Sequence, residues 1–301
     1  MLLENIALFQ TIVEKGSLAA AGRELRLSPT TVSERLAALE AHYGVSLLNR
    51  TTRSFSLTEE GRTLLEGARP LLDEVRDLDA RIRHGADTVS GLIRISTPSD
   101  LGRNTVSDAI AEFLNAHPQA MIEQSLTDGY VDIVSEGVDL ALRFGTVADS
   151  SLRVRRLGDV GRVVCAAPDY IKAHGAPATP ADLQDHNCLL MRFGRELDNI
   201  WHFESGTKKQ QVAVRGNRVA DDGALVRQWA VNGEGIALKS ELDVADDLQS
   251  GRLIALLTDA APPPAALQIM FPPGRALPRR VRTFADFLAA KIKAQIAARG
   301  S

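Results

Sequence analysis

Residues 17 to 36, SLAAAGRELRLSPTTVSERL, constrain the fold most strongly, because they predict two helices joined by a tight connection. Ser17 is a suitable N-cap for the first helix. Its buried side is predicted to hold Leu18, Ala21 and Leu25, since these apolar residues recur at helical spacing. We expect this helix to stop at Leu27 and the chain to enter a second helix almost at once.

The second helix is predicted to begin at Ser28 and Pro29 as N-cap and N1, where a proline loses no needed hydrogen bond. It should run to about residue 42, with Val32, Leu36 and Leu39 as its core stripe. The polar side chains left on or beside the outer face are Thr30, Thr31, Ser33, Glu34 and Arg35. In a major groove such side chains contact phosphates and base edges. The alternative is a helical hairpin with no role in nucleic-acid binding.

The residues after this helix favour DNA binding. Gly44 is expected to end the helix, and VSLLNRTTRSFSLT then places two short apolar runs around an exposed RTTR turn. This pattern predicts a β-hairpin wing with Arg50 and Arg53 near its tip. Both arginines suit a phosphate backbone or a minor groove.

The segment from residue 9 to residue 61 resembles the amino-terminal winged helix-turn-helix of the LysR-type transcriptional regulators. The matching positions are Phe9, Gly16-Ser17, Ala20-Ala21, Leu25, Ser28, Val32-Ser33, Leu39-Glu40, Gly44, Leu47, Arg50, Leu57-Thr58 and Gly61. The later segments YVDIVSEGVDLALRFG, SSLRVRRLG, CAAPDYIKAHGAPATPADLQDHNCL and VADDLQSGRL resemble the effector domain of the CrgA-like subgroup. One departure is Leu48, where the family usually has Phe.

The resemblance implies a multidomain α+β and α/β fold: a winged helix-turn-helix, a linker helix and a two-lobed α/β effector domain like that of periplasmic binding proteins. The expected boundaries are 1–58 for the DNA-binding domain, 59–90 for the dimerisation helix and hinge, 91–162 plus 268–301 for lobe I, and 163–267 for lobe II. It also implies sequence-specific binding to promoter DNA as a dimer or tetramer, modulated by a small molecule bound between the lobes.

Composition agrees with a soluble, globular regulator of two or three compact units, since 301 residues have 45% hydrophobic residues and a mean hydropathy of −0.07. The first residues lack the charged start of a signal peptide, so we expect a cytoplasmic protein. The whole chain carries a net charge of −3. Residues 23–53 carry five arginines against three glutamates, a surplus of only two positive charges. DNA binding therefore requires dimerisation.

The next segment predicts the dimer contact. Thr58 starts a helix in which apolar residues follow in alternating steps of four and three, as in a heptad seam. These residues are Leu64, Ala68, Leu71, Val75, Leu78 and Ile82. Pro70 lies inside the helix and predicts a bend. The alternative is an amphipathic helix that packs on its own domain. Residues 84–91 are expected to form a hinge.

From Leu92 onward, apolar strand patterns alternate with helical patterns, which predicts βαβ units and a parallel sheet. Helices are expected at about 101–116, 130–137, 223–232 and 241–249, and a last helix at 278–296. The resemblance implies that the final strand and helix return to the first lobe.

Ligands of open α/β sheets bind beyond the carboxyl ends of strands. Thr97, Pro98 and Ser99 follow the first strand and precede a helix N-terminus, an arrangement that accepts anionic oxygen. Ser99 can equally be only a helix cap. Further candidates at strand ends are Asp128, Arg143, Phe144, Arg192, Phe193, Asp222 and Lys239. The cationic members suggest a small organic acid as effector, although Arg143 can instead pair with a carboxylate of the protein.

No catalytic pattern accompanies these residues. The sequence lacks G-x-S-x-G, a Walker loop and H-E-x-x-H, and its six histidines are scattered. Cys165 and Cys188 have no metal or redox spacing and are expected to be buried thiols. We therefore expect no enzyme, cofactor or metal. The expected partners are double-stranded promoter DNA, a small-molecule effector and further copies of the chain, with RNA polymerase as a candidate. The alternative is a ligand-binding protein that keeps the helix-turn-helix only as a dimer scaffold.

Overall fold

The structure is a computed structural model that describes residues 1–51, 54–84, 88–130, 132–145, 152–273 and 277–299. The chain forms two compact units, one mainly from Met1–Val89 and the other from Ser90–Arg275 with Arg280–Ser301. Among the described residues, no helix is long and apolar enough to span a membrane.

The α-helices of the described residues are α1 Leu2–Lys15, α2 Leu18–Leu25, α3 Pro29–Tyr43, α4 Glu59–His84, α5 Ser99–Leu101, α6 Ser107–Ala116, α7 Pro168–His174, α8 Gly223–Val231, α9 Glu241–Gln249 and α10 Arg279–Arg299. A π-helical segment, Gly102–Val106, joins α5 to α6, and a 3-10 segment, Pro180–Asp185, follows α7.

The strands of the described residues are β1 Leu48–Thr51, β2 Ser54–Leu57, β3 Ser90–Thr97, β4 Gln119–Leu126, β5 Leu140–Phe144, β6 Arg153–Val160, β7 Arg162–Ala166, β8 Cys188–Phe193, β9 Glu196–Asp198, β10 Ile200–Ser205, β11 Lys208–Ala213, β12 Arg218–Ala220, β13 Ile236–Ser240, β14 Ile254–Leu256 and β15 Ala265–Phe271.

The first unit packs α1, α2, α3 and part of α4 around one apolar core. The stripe predicted for α3 is confirmed, because Val32, Leu36 and Leu39 are buried in that core. Phe9 and Ile12 of α1 are buried against the same cluster. Burial of one large apolar side chain contributes about 1.5–3 kcal/mol to stability. Several such side chains together hold these short helices in place.

The buried face of α2 differs from the prediction. Leu25 is 40% exposed, and Leu18 is only partly buried, while Ala21 is fully buried as expected. Gly22 provides the close approach to α3, because an added Cβ would lie 3.3 Å from a methyl group of Val32. The helix also ends earlier than predicted, since Arg26 adopts a left-handed C-cap with φ of 54°.

The linker helix α4 divides into two parts, so its predicted apolar seam needs correction. Ala68 is buried in the core of the first unit, and Leu64 packs against that core. Leu72, outside the predicted seam, is buried there too. The first turns of α4 therefore pack on their own domain, which was the alternative interpretation, and only the later residues of the predicted seam stay exposed.

The described residues of the second unit form two larger sheets, which define two α/β lobes, and a separate two-stranded sheet of β10 and β11. The lobe I sheet has the order β4-β3-β5-β15-β6, and the lobe II sheet has the order β12-β8-β13-β7-β14 with β9 beside β8. Helix α10 packs on lobe I, where Phe284 meets Phe113 edge to face at 4.9 Å. Strand β15 returns to lobe I after β14, so the expected return of the chain is confirmed.

Both sheets are mixed, whereas the sequence pattern predicted parallel sheets. In lobe I, β3 runs parallel to β4 and β5, but β15 is antiparallel to β5 and β6. In lobe II, β7 is antiparallel to β13 and β14. These antiparallel pairs involve strands that begin or end the lobe crossings, where no crossover helix fixes a parallel direction.

Two predicted helices also differ. The helix expected at 101–116 is interrupted by the π-helical segment. This segment begins at Gly102, where a larger residue would clash, because an added Cβ would lie 2.3 Å from the Thr97 hydroxyl. The described residues of the segment expected as a helix at 130–137 form turns.

Candidate functional site

The N-terminus of α3 has the capping geometry predicted from Ser28 and Pro29. The Ser28 hydroxyl accepts a hydrogen bond from the Thr31 backbone N–H at 3.1 Å and lies 2.8 Å from the Thr31 hydroxyl. Pro29 occupies the first helical position. These contacts fix the direction in which α3 leaves the turn after α2. Gly44 ends the helix with φ of 70°, as predicted.

The outer face of α3 carries most of the polar side chains predicted for DNA contact. Ser28, Pro29, Thr30, Ser33 and Glu34 are exposed. Thr31 and Arg35 are only partly exposed. Apart from Glu34, these exposed side chains are short, so the helix backbone can approach a groove closely.

Arg35 has a partner that sequence reasoning missed. Its Nη2 atom donates to Glu4 Oε2 of α1 at 2.8 Å. The Glu4 side chain is largely exposed, so this ion pair contributes little stability. It nevertheless holds the guanidinium toward α1.

A two-stranded hairpin follows α3, as predicted for a wing. Strands β1 and β2 are antiparallel, with Leu48 opposite Leu57 and Thr51 opposite Ser54. Leu48 is buried, so the departure from the family's usual Phe is accommodated in the core. Arg53 lies outside the described residues, as does the side chain of Arg50.

The second half of α4 presents an apolar stripe. Leu71 and Leu78 are each 49% exposed, and Val75 and Ile82 are also exposed. These four side chains are the part of the predicted seam that the first unit does not cover. Pro70 lies inside the helix just before them.

In the second unit, a cavity of about 450 Å³ lies between the two lobes. Lobe I supplies Pro98, Asp128, Arg143 and Phe144, among others, and lobe II supplies Phe193 and Lys239. The cavity therefore lies where strands end, as predicted, and it falls within the range typical of small-molecule sites.

Asp128 of lobe I binds the N-terminus of α8 in lobe II. Its carboxylate accepts the Gly223 N–H at 2.8 Å and the Ser99 N–H at 3.1 Å, and it is also bonded to the Ser99 hydroxyl. Gly223 also packs closely against Lys239, because an added Cβ would lie 3.1 Å from Lys239 Nζ and 3.4 Å from Asp128 Oδ2. The anion-binding donors that the sequence assigned to an effector thus hold an internal carboxylate.

Lys239 of lobe II is buried and bonded to Asp100 of lobe I. Its Nζ atom also donates to the Gly223 carbonyl at 2.8 Å and lies 3.9 Å from Asp243. Burial alone would lower the pKa of Lys239, but Asp243 and Asp100 together raise it. One buried ammonium is therefore matched by two carboxylates, and one oxygen of each has no hydrogen-bond partner among the described atoms.

A third connection joins the lobes nearer to the surface. Arg103 Nη1 and Nη2 donate to the two carboxylate oxygens of Asp222, each at 3.0 Å. Asp222 also caps α8 by accepting the Ala224 and Leu225 N–H groups. The hydrogen bond from Arg103 is the main reason that the pKa of Asp222 falls to about 2.

Arg143 lines the cavity from strand β5. Its Nη2 donates to the Ser96 hydroxyl and its Nη1 to the Leu142 carbonyl, both at 2.6 Å. Burial lowers the pKa of Arg143 to about 10. The guanidinium therefore remains charged at neutral pH while held by neutral acceptors.

Only part of the predicted effector set reaches the cavity. Within the described part of the chain, Thr97, Ser99, Arg192 and Asp222 do not line it. Thr97 is buried and Arg192 is exposed. Sequence reasoning missed further lining residues, which include Asp100, Arg162, Met191, Glu196, Leu197, Asp198, Leu238 and Asp243.

Cys165 and Cys188 are buried free thiols, as expected. Burial raises the pKa of each to about 12, so neither forms a reactive thiolate at neutral pH.

Asp243 predicts a pH dependence of stability. Burial is the main reason that its pKa rises to about 7, and Lys239, Asp100, Asp128 and Arg227 act on it in addition. The folded-state pKa of Asp243 exceeds the usual 3.8, so the folded protein favours the protonated carboxyl. The contribution of this protonated group to folding stability is complete below about pH 4 and is lost as the pH rises through about 7.

We expect Asp243→Asn to remove this loss. The stability of the variant relative to wild type should rise between pH 5 and pH 8, because the asparagine does not titrate whereas burial makes ionisation of Asp243 unfavourable over this range. Denaturant unfolding at a series of pH values measures the difference. An equal offset at every pH would show that Asp243 stays ionised in the folded protein.

Comparison with known proteins assigns both units. Residues 3–62 match the family model described as "Bacterial regulatory helix-turn-helix protein, lysR family", and residues 86–293 match "LysR substrate binding domain". The HTH-type transcriptional regulator DmlR of Escherichia coli (strain K12) is 32% identical over 95% of this chain and 93% of its own. The HTH-type transcriptional activator AaeR of the same strain is 32% identical over 95% and 92%.

Solved structures agree over nearly the whole chain. CrgA, a LysR-type transcriptional regulator from Neisseria meningitidis, is 28% identical with a TM-score of 0.61, covering 96% of this chain and 98% of its own. AphB, a virulence activator of Vibrio cholerae, is 28% identical with a TM-score of 0.59, covering 96% and 99%. The fold predicted from the sequence is thereby confirmed, and the relatives are named transcriptional regulators rather than enzymes. The chain belongs to the LysR family of DNA-binding transcriptional regulators, with an effector-binding domain after its helix-turn-helix.

Proposed function

We propose that this regulator binds an interrupted inverted repeat in promoter DNA through the exposed face of α3, with one copy of that face in each half-site. The main support is the geometry of α2 and α3, in which a capped helix presents Thr30, Ser33 and Glu34 while its opposite side is buried. Thr31 and the Ser28 hydroxyl are proposed to contact phosphates, because they lie at the helix N-terminus. Arg50 and Arg53 of the wing are proposed as further phosphate or minor-groove contacts.

Association is proposed to run through the exposed stripe of Leu71, Val75, Leu78 and Ile82. A dimer places two helix-turn-helix units on one duplex, and pairing of dimers gives a tetramer. We further propose action in the cytoplasm, where promoter DNA and RNA polymerase are available as partners.

The domain boundaries proposed from the sequence are 1–58, 59–90, 91–162 with 268–301, and 163–267. The sheets suggest moving the second lobe crossing slightly earlier, because β15 pairs within lobe I from Ala265 onward. The effector is proposed to bind in the cavity between the lobes and to be a small organic acid, which Arg143 supports as a cation on the cavity wall.

Arg35 provides a direct test of how α3 recognises DNA. If Arg35 contacts a base edge, Arg35→Ala should cost about 1–3 kcal/mol on the specific site and relax preference at one position of each half-site. Glu4→Gln, which releases Arg35 from its ion pair, should then bind as tightly as wild type or tighter. Fluorescence anisotropy on specific and random duplexes measures both variants. Equal losses in Arg35→Ala and Glu4→Gln would instead assign Arg35 to positioning α3 against α1.

The alternative function, a ligand-binding protein with the helix-turn-helix as a scaffold, predicts no specific complex. A gel shift on the chain's own promoter region separates the two, because the proposed regulator gives a salt-sensitive, site-specific complex.

A further inference from the structure

The cavity between the lobes is lined by three cationic side chains, and they differ in their partners. Lys239 is matched by Asp100 and Asp243, and Arg162 forms an ion pair with Asp198 at 3.4 Å. Arg143 has no such match, since no carboxylate oxygen of the described residues lies within 4.0 Å of its guanidinium. Arg143 is thus the cation that a ligand can neutralise.

The position of Arg143 is fixed before any ligand arrives. The fully buried hydroxyl of Ser96 and the carbonyl of Leu142 accept hydrogen bonds from its two terminal nitrogens. These neutral acceptors orient the planar guanidinium without pairing its charge. Burial lowers the pKa of Arg143 by more than the carboxylates of Asp128 and Glu136, which lie beyond ion-pair distance, raise it. A buried guanidinium without a directly paired carboxylate favours an anionic ligand, and its fork suits a carboxylate.

The rest of the wall is mainly apolar. It includes Phe144 and Val160 of lobe I together with Met191, Phe193, Leu197 and Leu238 of lobe II. Phe193 is 43% exposed although it is a large aromatic residue. An apolar ligand body that covers Phe193 would remove this surface from water, which favours binding.

A second negative charge on the ligand would be unfavourable. Five carboxylates line the same cavity, namely Asp100, Asp128, Glu196, Asp198 and Asp243. A dicarboxylate would place its second group among them without an unmatched cation to bind it, and like charges at close range repel.

We propose that the effector is a monocarboxylate with an apolar body, whose carboxylate binds Arg143 and whose body contacts Phe144 and Phe193. This proposal rests on the proposed effector role of the cavity. It narrows the ligand from organic acids in general to acids with one charge.

The test is calorimetric titration and thermal unfolding of the full chain with matched probes. Benzoate, phenylacetate and cyclohexanecarboxylate supply one carboxylate on an apolar body. Their carboxamides remove the charge, phthalate adds a second carboxylate, and succinate removes the apolar body. We expect at least one monocarboxylate to bind and raise the melting temperature, and its carboxamide and both diacids to bind at least about tenfold more weakly. Preferential binding of the diacids, or no binding by any monocarboxylate, would overturn the proposal.

Variants assign the contacts. Arg143→Met should lower the affinity for the monocarboxylate by about 10- to 100-fold, to the affinity of its carboxamide. Arg143→Lys should lose less affinity because it keeps the charge. Phe193→Ala should lower the affinity for the larger acids but should not change the preference for an acid over its carboxamide. The melting temperature without ligand shows whether each variant is folded. Wild-type affinity in folded Arg143→Met contradicts the assignment.

Failure of this proposal is distinguishable from failure of the proposed function. Wild-type protein that forms a salt-sensitive, site-specific complex with promoter DNA but binds no monocarboxylate refutes only the ligand class. Wild-type protein that lacks such a complex refutes the regulator's proposed DNA recognition, whatever it binds in the cavity.

Discussion

Replacing Lys239 with Met is expected to destabilise the second unit by about 3–5 kcal/mol, because it leaves buried carboxylates without their cation. Lys239 and Asp100 are both almost fully buried, and they join strand β13 of lobe II to α5 of lobe I. The loss should shrink at acid pH, where the carboxylates take up protons instead. Denaturant unfolding of the full chain, followed by circular dichroism, measures the effect.

Two matched variants test the cause. Lys239→Met combined with Asp100→Asn should recover part of the lost stability, since the uncompensated charge is then removed. Arg103→Met breaks another contact between the lobes, the partly exposed pair with Asp222, and should cost less than about 1 kcal/mol. Equal losses for Lys239→Met and Arg103→Met would show that burial of the charge does not control the effect.

The second large effect concerns the linker helix. Leu71→Asp together with Leu78→Asp should convert the dimer to monomers and abolish specific DNA binding, because an unpaired carboxylate is costly in an apolar seam. Both side chains are half-exposed in the single chain, so the substitutions should leave each unit folded. Analytical ultracentrifugation and anisotropy on the same DNA measure the two losses.

The control is Thr63→Asp, which adds a carboxylate to an exposed position of the same helix outside the stripe. It should leave the dimer intact. Dimers that persist in the double variant would rule out the stripe as the association surface.

The helix-turn-helix was predictable because its signals are local. Ser28 and Pro29 form a cap and a first turn within four residues, and Gly44 supplies the left-handed end of α3. The exposure of Leu25 was not predictable in this way, since α2 is only one short helix whose packing is decided by Gly22 and α3. The division of α4 into a packed part and an exposed part was not predictable either, because the apolar periodicity does not show which turns pack on the first unit.

The candidate effector site depends on pairs that are distant in the sequence. Lys239 and Asp100 are separated by 139 residues, and Asp128 and Gly223 by 95. The sequence placed Ser99, Asp128 and Lys239 correctly at strand ends, but no local pattern shows that they bind one another. Strand β6 was missed because its arginine-rich, mostly exposed sequence lacks the alternation of a half-buried strand.

The most direct test of dimeric recognition through α3 is a footprint of the full-length protein on its own upstream DNA, combined with anisotropy at several salt concentrations. Such recognition predicts two protected half-sites related by two-fold symmetry, with centres about 10–10.5 base pairs or a multiple apart, and an affinity that falls as salt rises. It also predicts that the symmetric footprint disappears in Leu71→Asp with Leu78→Asp. Protection of a single half-site, or equal binding to random DNA at every salt concentration, would contradict dimeric recognition through α3.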